Sequence, residues 1–155
     1  MFKEISKPIA SFLDMLAESE GTEAVGDHGY NCLVGSTPRK PILFHDYSTH
    51  PGILNKQFNS SAAGRYQLIY PTWRLLGKLV HKSDFSPDTQ DLMCVELLRE
   101  KGAIDYIEKG DITTAIHRIA HVWASLPGAD YGQHEQKLDW LLAQWKDSMD
   151  KVTVA

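Results

Sequence analysis

The first apolar pattern in the chain begins at Pro8 and has a helical period. Apolar side chains recur at the three- and four-residue spacing that places them on one face of a helix. They are Ile9, Phe12, Leu13, Leu16 and Ala17. At about 100° per residue, Glu20 falls inside this apolar face, whereas Glu18 falls on the polar side. Gly21 then favours termination. The pattern predicts a helix that ends on a carboxylate at its apolar side.

Residues 23–70 have no helical period and are rich in glycine, serine, asparagine, proline and aromatic residues. Their short apolar runs predict β-strands at 30–34, 42–44 and 65–69, separated by turns. Helical patterns then continue to the end of the chain. Their expected beginnings are Pro71, Ser86-Pro87, Ala103 and Asp111, and a last helix carries Leu138, Leu141, Leu142, Trp145 and Met149. We expect the Asp111 helix to include Trp123 and to end before Pro127.

This order of elements predicts one α+β domain that is mainly helical with a small antiparallel sheet. The sheet lobe is expected at about 23–70 and the helical lobe at about 71–150, with a cleft between them suited to an elongated ligand. With 155 residues, the chain can bury a core without metal or disulfide. Cys32 and Cys94 lie far apart in sequence with no pairing signature. Since the N-terminus shows no export signal, we interpret both as reduced thiols.

Charge is distributed unevenly along the chain. The formal net charge is −4, yet residues 36–82 carry seven Lys or Arg and a single acidic residue, Asp46. This segment predicts a basic face that meets an anionic partner, with a merely solvated surface as the alternative. Because the cations match no groove-reading motif, we expect no nucleic-acid partner. A polyanionic cell-wall polymer would suit them.

Glu20 is the leading candidate for chemistry. Apolar neighbours and the negative end of the helix dipole both disfavour its ionised form, so its pKa is expected to be raised. A carboxylic acid that stays protonated near neutral pH can donate a proton to a glycosidic oxygen. The alternative is a helix end that frays and exposes the side chain to water.

Metal chemistry is not predicted. His117 and His121 have the i, i+4 spacing that zinc uses, but they lie on the polar side of their helix. The residues between them also lack the glutamate of the zinc-protease motif. His28, His45 and His50 match no common metal site, and the sequence implies no organic cofactor.

A series of short blocks carries a family resemblance. The blocks are Phe-Leu-Asp-Met-Leu at 12–16, Ser-Glu-Gly-Thr at 19–22, His-Gly-Tyr at 28–30, Asp-Tyr-Ser at 46–48, Ala-Gly-Arg-Tyr-Gln-Leu at 63–68, Trp-Ala-Ser-Leu-Pro-Gly-Ala at 123–129 and Tyr-Gly-Gln at 131–133. In order and spacing they resemble the phage lambda endolysin family, which consists of lysozyme-like lytic transglycosylases. The resemblance extends from about residue 11 to residue 146 and implies a two-lobed lysozyme-like fold.

The resemblance also implies site residues. Glu20 matches the family's single catalytic glutamate, while Arg65, Tyr66 and Gln67 match a sheet segment beside the cleft and Tyr131 falls in a later Tyr-Gly block. A glutamine amide suits an N-acetyl group, and tyrosine rings can stack on sugars. Alternatives remain: Tyr66 and Tyr131 as structural residues, and Arg65 as partner of either a stem-peptide carboxylate or an internal acid.

The implied reaction cleaves the β-1,4 bond between N-acetylmuramic acid and N-acetylglucosamine in peptidoglycan, leaving 1,6-anhydromuramic ends. A hydrolytic muramidase is the alternative, and it would use a companion acid. Asp27 and Asp46 are the candidates for this companion acid, and Asp46 is interpreted as a turn residue. The chain resembles phage T4-type lysozyme poorly, because the position nine residues after Glu20 is Gly29 rather than an aspartate. A zinc amidase, a cysteine peptidase and a non-catalytic wall-binding module are further alternatives.

The biological setting follows from the same resemblance. Host lysis by a monomeric endolysin that acts on peptidoglycan glycan strands is implied. The N-terminus lacks the basic start and apolar run of a secretion signal, so we expect accumulation in the host cytoplasm. Action on the wall in the periplasm would then follow a membrane lesion formed by a holin.

Overall fold

The computed structural model describes residues 5–132 and 134–151, and within them the chain is mainly helical. The helices are α1 (Lys7–Glu20), α2 (Tyr70–Val80), α3 (Pro87–Glu100), α4 (Ile104–Glu108), α5 (Ile112–Ile119) and α6 (Leu138–Lys151). The predicted helical segments are therefore confirmed in order and approximate position. None of these helices is both long and apolar enough to span a lipid bilayer.

Helix α5 differs from its prediction at the C-terminal end. Asp111 caps it as expected, with its side chain accepting a hydrogen bond from the Thr114 N–H group at 3.2 Å. The helix stops at Ile119, because the Val122 N–H group bonds to the Ile119 carbonyl in a turn. Trp123 is buried, but it projects from this turned segment and not from the helix.

The predicted antiparallel sheet is not found within the described residues. Pairing occurs instead as isolated antiparallel bridges: Cys32 with Leu43, Leu33 with Ala63, Asn55 with Ser60, and Ala63 with Leu68. Left-handed backbone conformations occur between or beside the paired positions, at Gly35, Asn59, Gly64 and Gln67. Such residues turn the chain after a single pair, so no ladder of hydrogen bonds extends.

The chain divides into two compact units. The first comprises the described residues up to Ser19 together with those from Leu97 onward, and the second comprises Glu20–Glu96. In the first unit, the large side chains Phe12, Met15, Leu16, Ile116 and Ile119 are fully buried. Burial of each such side chain stabilises the fold by about 1.5–3 kcal/mol.

Two polar contacts join α6 to α1 within this first unit. The Trp145 indole N–H donates to the Pro8 carbonyl at 3.1 Å. The Ser148 hydroxyl donates to Asp14 at 2.7 Å. Both contacts involve groups that are at least partly buried, so the C-terminal helix is fixed against the helix that carries Glu20.

His50 lies at the centre of an aromatic cluster in the second unit. Its ring centroid lies 4.8 Å from that of Phe85 and 5.9 Å from that of Trp73. Its Nε2 bonds to the Leu68 carbonyl at 2.8 Å, and its Nδ1 accepts from the Gly52 N–H group at 2.9 Å. One nitrogen donates and the other accepts, as in a neutral imidazole. Burial lowers the pKa of His50, against an opposing effect of the Leu68 carbonyl.

Candidate active site

Glu20 is the last residue of α1 and is half-buried, as the sequence pattern predicted. Gly21 follows in a left-handed conformation (φ 76°), which ends the helix. Burial raises the pKa of the Cys94 thiol well above its usual value, and the negative charges of Asp91 and Glu20 add to this effect. The Glu20 carboxylate therefore interacts with the interior of the second unit. Its own raised pKa stays a prediction.

The segment that follows Glu20 is closely packed within the second unit. Thr22 is buried, and its hydroxyl donates to the Arg65 carbonyl at 2.6 Å. Gly29 approaches this threonine so closely that an added Cβ would lie 2.6 Å from the Thr22 Cβ atom. Gly29 also has a positive φ of 86°. The position nine residues after Glu20 therefore has no room for an aspartate side chain.

A four-residue turn presents Arg65, Tyr66 and Gln67. Ala63 and Leu68 close it with reciprocal backbone hydrogen bonds of 3.1 and 3.0 Å. Gly64 and Gln67 both have positive φ, at 81° and 54°. An added Cβ at Gly64 would lie 2.3 Å from the Gln90 amide oxygen. This oxygen in turn accepts the Arg65 N–H group at 3.0 Å, so α3 contacts the turn directly.

Arg65 is 5% exposed and is paired inside the second unit. Its guanidinium forms an ion pair with Glu23 and donates to the His28 carbonyl at 2.7 Å. Burial acts to lower the pKa of Arg65, but its electrostatic interactions with Tyr66 and Glu23 outweigh this and raise it. Burial acts to raise the pKa of Glu23, yet Arg65 and His28 together lower it. Of the two partners considered for Arg65, the structure therefore shows the internal acid, Glu23.

Tyr66 is 1% exposed, which leaves no accessible ring face for stacking on a sugar. Its hydroxyl donates to Asp91 at 2.5 Å, and the Tyr30 hydroxyl donates to the same carboxylate oxygen at 2.9 Å. Burial raises the pKa of Asp91, although the two tyrosine hydroxyls oppose this rise. The environment of Tyr66 is that of a structural residue, because tight packing around the turn encloses the ring.

Gln67 and Tyr131 are more accessible than Arg65 and Tyr66. Gln67 is half-buried, and its side-chain amide donates to the Gly64 carbonyl at 2.8 Å. Tyr131 belongs to the first unit and is 55% exposed, with its hydroxyl donating to the His121 carbonyl at 2.5 Å. Gln133, from the same sequence block, lies outside the described residues.

Glu135 organises the segment that carries Tyr131. Its carboxylate accepts the backbone N–H groups of Gly128 at 3.1 Å and Asp130 at 3.0 Å. These two hydrogen bonds hold the pKa of Glu135 below its usual value. The exposed tyrosine is therefore presented by a loop with defined internal contacts.

The two candidate companion acids of Glu20, Asp27 and Asp46, are exposed to solvent. Asp46 is exposed and accepts the Ser48 N–H group at 2.9 Å, the geometry of the turn predicted for it. This contact with Ser48 lowers the pKa of Asp46. Asp27 is also exposed. Across residues 5–132 and 134–151, no group of three histidine, cysteine or acidic side chains could hold a metal ion.

Sequence reasoning missed the polar network formed by the buried Gln90 and the half-buried Glu23, Tyr30 and Asp91. A signal was available in α3. Gln90 lies three and four residues before Met93 and Cys94, both fully buried, and therefore shares their helix face. A polar residue on an apolar face indicates a buried partner.

The structure is similar to known lysozymes. It matches the lysozyme of bacteriophage lambda complexed with a chitohexasaccharide with a TM-score of 0.86 and 44% sequence identity, covering 94% of this chain and 96% of that chain. A second structure of the bacteriophage lambda lysozyme matches with a TM-score of 0.82 and 42% identity, over the same shares of the two chains. The class of protein is therefore lysozyme-like, which confirms the predicted fold class except for the sheet.

Sequence comparison identifies the family. The Endolysin family model matches residues 10–152. The chain is 44% identical to the endolysin of Escherichia phage lambda, over 94% of this chain and 93% of that protein. It is 46% identical to the endolysin of Escherichia phage P2, over 89% and 90%. The chain belongs to the endolysin family, the lysozyme-like enzymes that act on peptidoglycan.

Proposed function

We propose that this endolysin is a lytic transglycosylase that cleaves the β-1,4 bond between N-acetylmuramic acid and N-acetylglucosamine. The observation that carries the proposal is the position of Glu20. It is a half-buried carboxylate at the C-terminal end of α1. Two residues later, the Thr22 hydroxyl donates to the Arg65 carbonyl in the turn that contains the Ala-Gly-Arg-Tyr-Gln block. Partial burial and the helix dipole both favour the protonated acid that the reaction needs at its start.

The reaction needs only one protein carboxyl group. Glu20 first protonates the bridging oxygen, and the bond between that oxygen and the anomeric carbon breaks. The resulting Glu20 carboxylate then takes the proton from the muramic C6 hydroxyl, whose oxygen attacks the same anomeric carbon. The product carries a 1,6-anhydro ring, and no water is consumed. An attacking group that already belongs to the substrate has the high effective molarity of an oriented intramolecular reaction.

Two observations support this route over hydrolysis. A hydrolytic muramidase would use a second carboxylate near the sugar. Gly29 excludes an aspartate nine residues after Glu20, and Asp46 is exposed and bound within its own turn. Hydrolysis is nonetheless the second candidate, because the solved relatives carry the name lysozyme.

The glycan strand is the proposed substrate, and Gln67 and Tyr131 are its proposed contacts. The solved lysozyme of bacteriophage lambda is complexed with a chitohexasaccharide, which is an oligomer of N-acetylglucosamine. The Gln67 amide would bind an N-acetyl group, and the exposed ring of Tyr131 would stack on a sugar. Arg65 and Tyr66 would have structural roles, since both are buried in the turn that carries Gln67.

The proposed biological role is lysis of a phage-infected host by a monomeric enzyme. It would accumulate in the host cytoplasm and reach the wall in the periplasm once a holin lesion opens the membrane. No metal or organic cofactor is proposed for the reaction.

Glu20→Gln tests the assigned role, with Glu18→Gln as the matched control. Both substitutions remove one carboxylate from the last turn of α1, where both residues are half-buried. We expect Glu20→Gln to abolish the clearing of purified peptidoglycan and Glu18→Gln to retain it. Near-UV circular dichroism should show that both variants keep the native fold. Substantial activity in Glu20→Gln, or an equal loss in Glu18→Gln, would reject the role of Glu20.

A further inference from the structure

The outer face of α2 exposes two leucines. Leu75 is 61% exposed and Leu79 is 49% exposed. They lie four residues apart, so their side chains are neighbours on one face of the helix. The inner face is occupied by Trp73 and Leu76, which are buried. The two outward leucines therefore leave about half or more of their surface outside the core that anchors this helix.

Basic side chains flank these leucines. Arg74 and Lys78 are exposed on α2, and Lys82 is exposed just beyond its C-terminal end. At about 100° per residue, Lys78 lies roughly 60° from Leu75 around the helix axis. Among the described residues, no salt bridge involves any of these three cations. The face is thus basic and apolar at once, in a protein whose net charge is −4.

The same cations surround a small pocket. It has a volume of about 220 Å³ and is lined by Trp73, Arg74, Gly77, Lys78, Lys82 and Ser83. Lys82 folds back over the helix, and its N–H group bonds to the Gly77 carbonyl at 3.0 Å. An added Cβ at Gly77 would lie 2.6 Å from the Lys82 carbonyl oxygen, so glycine permits this close approach. The pocket can therefore receive a phosphate among three positive charges.

We propose that this α2 face docks on the surface of an anionic phospholipid bilayer. The headgroup phosphate would occupy the pocket formed with Arg74, Lys78 and Lys82, while Leu75 and Leu79 enter the interfacial region. Exposed apolar side chains beside a cluster of cations are the features by which peripheral helices bind anionic membranes.

Other occupants fit this face less well. A second copy of the chain would bring three cations against three cations, which is repulsive. Nucleic acid would meet the cations but would give the leucines no apolar partner. A bilayer satisfies the charged and apolar groups together, and the inference does not depend on the proposed reaction.

Sedimentation of the full-length protein with lipid vesicles tests the proposal. We expect binding to vesicles that contain phosphatidylglycerol and little binding to pure phosphatidylcholine. The triple variant Arg74→Gln, Lys78→Gln, Lys82→Gln should bind roughly a hundredfold more weakly, given the typical contribution of one cation at an anionic surface. The double variant Leu75→Gln, Leu79→Gln should lose binding on the order of tenfold.

A matched charge control separates docking from general attraction. Arg39→Gln, Lys40→Gln, Lys56→Gln removes three exposed cations from the same unit but leaves α2 intact. It should bind within about threefold of the wild type, since these cations lie outside the proposed contact. Near-UV circular dichroism should show that the α2 variants keep the native fold.

Several results would overturn the proposal. The first is a wild-type protein that does not bind phosphatidylglycerol vesicles. The second is a loss of binding in the charge control as large as that in the α2 triple variant, and the third is unchanged binding in the leucine variant. A dimer seen by light scattering that the leucine variant dissociates would also overturn it, because a second copy would then cover this face.

Discussion

Replacement of Tyr66 by phenylalanine separates a structural role from a direct role in sugar binding. The change removes the hydroxyl that donates to Asp91 at 2.5 Å and leaves a ring that is 1% exposed. A hydrogen bond to a charged group contributes about 1.5–3 kcal/mol, so the free energy of unfolding should fall by about 2 kcal/mol. For a chain of this size, the melting temperature should fall by roughly 4–8 °C.

Activity should respond differently from stability. Because the Tyr66 ring is enclosed, a sugar has no access to the hydroxyl, and KM and kcat on purified peptidoglycan should stay close to those of the wild type below the melting temperature. Tyr30→Phe should lower the free energy of unfolding by less, about 1 kcal/mol, because Tyr30 is half-buried and its hydroxyl donates to Asp91 over a longer distance of 2.9 Å.

Urea unfolding at neutral pH measures the stability change, with the clearing assay run on the same protein samples. Tyr106→Phe is the matched control, because its hydroxyl accepts a long hydrogen bond of 3.4 Å from Arg118 at an exposed position. It should change stability by less than about 0.5 kcal/mol. A Tyr66→Phe variant with wild-type stability and a raised KM would refute the structural assignment.

Two further perturbations test the packing of the second unit. Gly64→Ala should lower stability by about 3 kcal/mol or more, because its Cβ would meet the Gln90 amide oxygen; Gly110→Ala has the same φ of 81° but open space, and should cost only about 1 kcal/mol. Equal urea midpoints would contradict this. Burial lowers the folded-state pKa of His50, so the unfolded chain binds more protons and stability should fall as pH drops below about 6.5. His50→Gln should show a smaller slope of unfolding free energy against pH, and an identical slope would contradict this.

The helices could be predicted because their signals are local. Pro87 and Asp111 mark helix beginnings through their own backbone and side-chain chemistry, and Glu20 is followed at once by a residue that ends the helix. The predicted end of α5 was wrong, because a local turn after Ile119 ends the helix before Trp123.

The surroundings of the site could not be predicted in the same way. The sequence around Arg65 and Tyr66 is compatible with either exposed or buried side chains. Their burial depends on Glu23 and Asp91, which lie 42 and 25 residues away in sequence. The predicted strands failed for a related reason, since Gly64 and other left-handed residues limit the pairing to single bridges.

Digestion of peptidoglycan in water enriched in oxygen-18 tests the central claim most directly. If Glu20 directs the C6 hydroxyl of the sugar to its own anomeric carbon, mass analysis should find muramic ends that are lighter than reducing ends by one water and carry no label. Reducing muramic ends with one atom of oxygen-18 would mean that water was the attacking group. That result would contradict the transglycosylase mechanism and establish hydrolysis in its place.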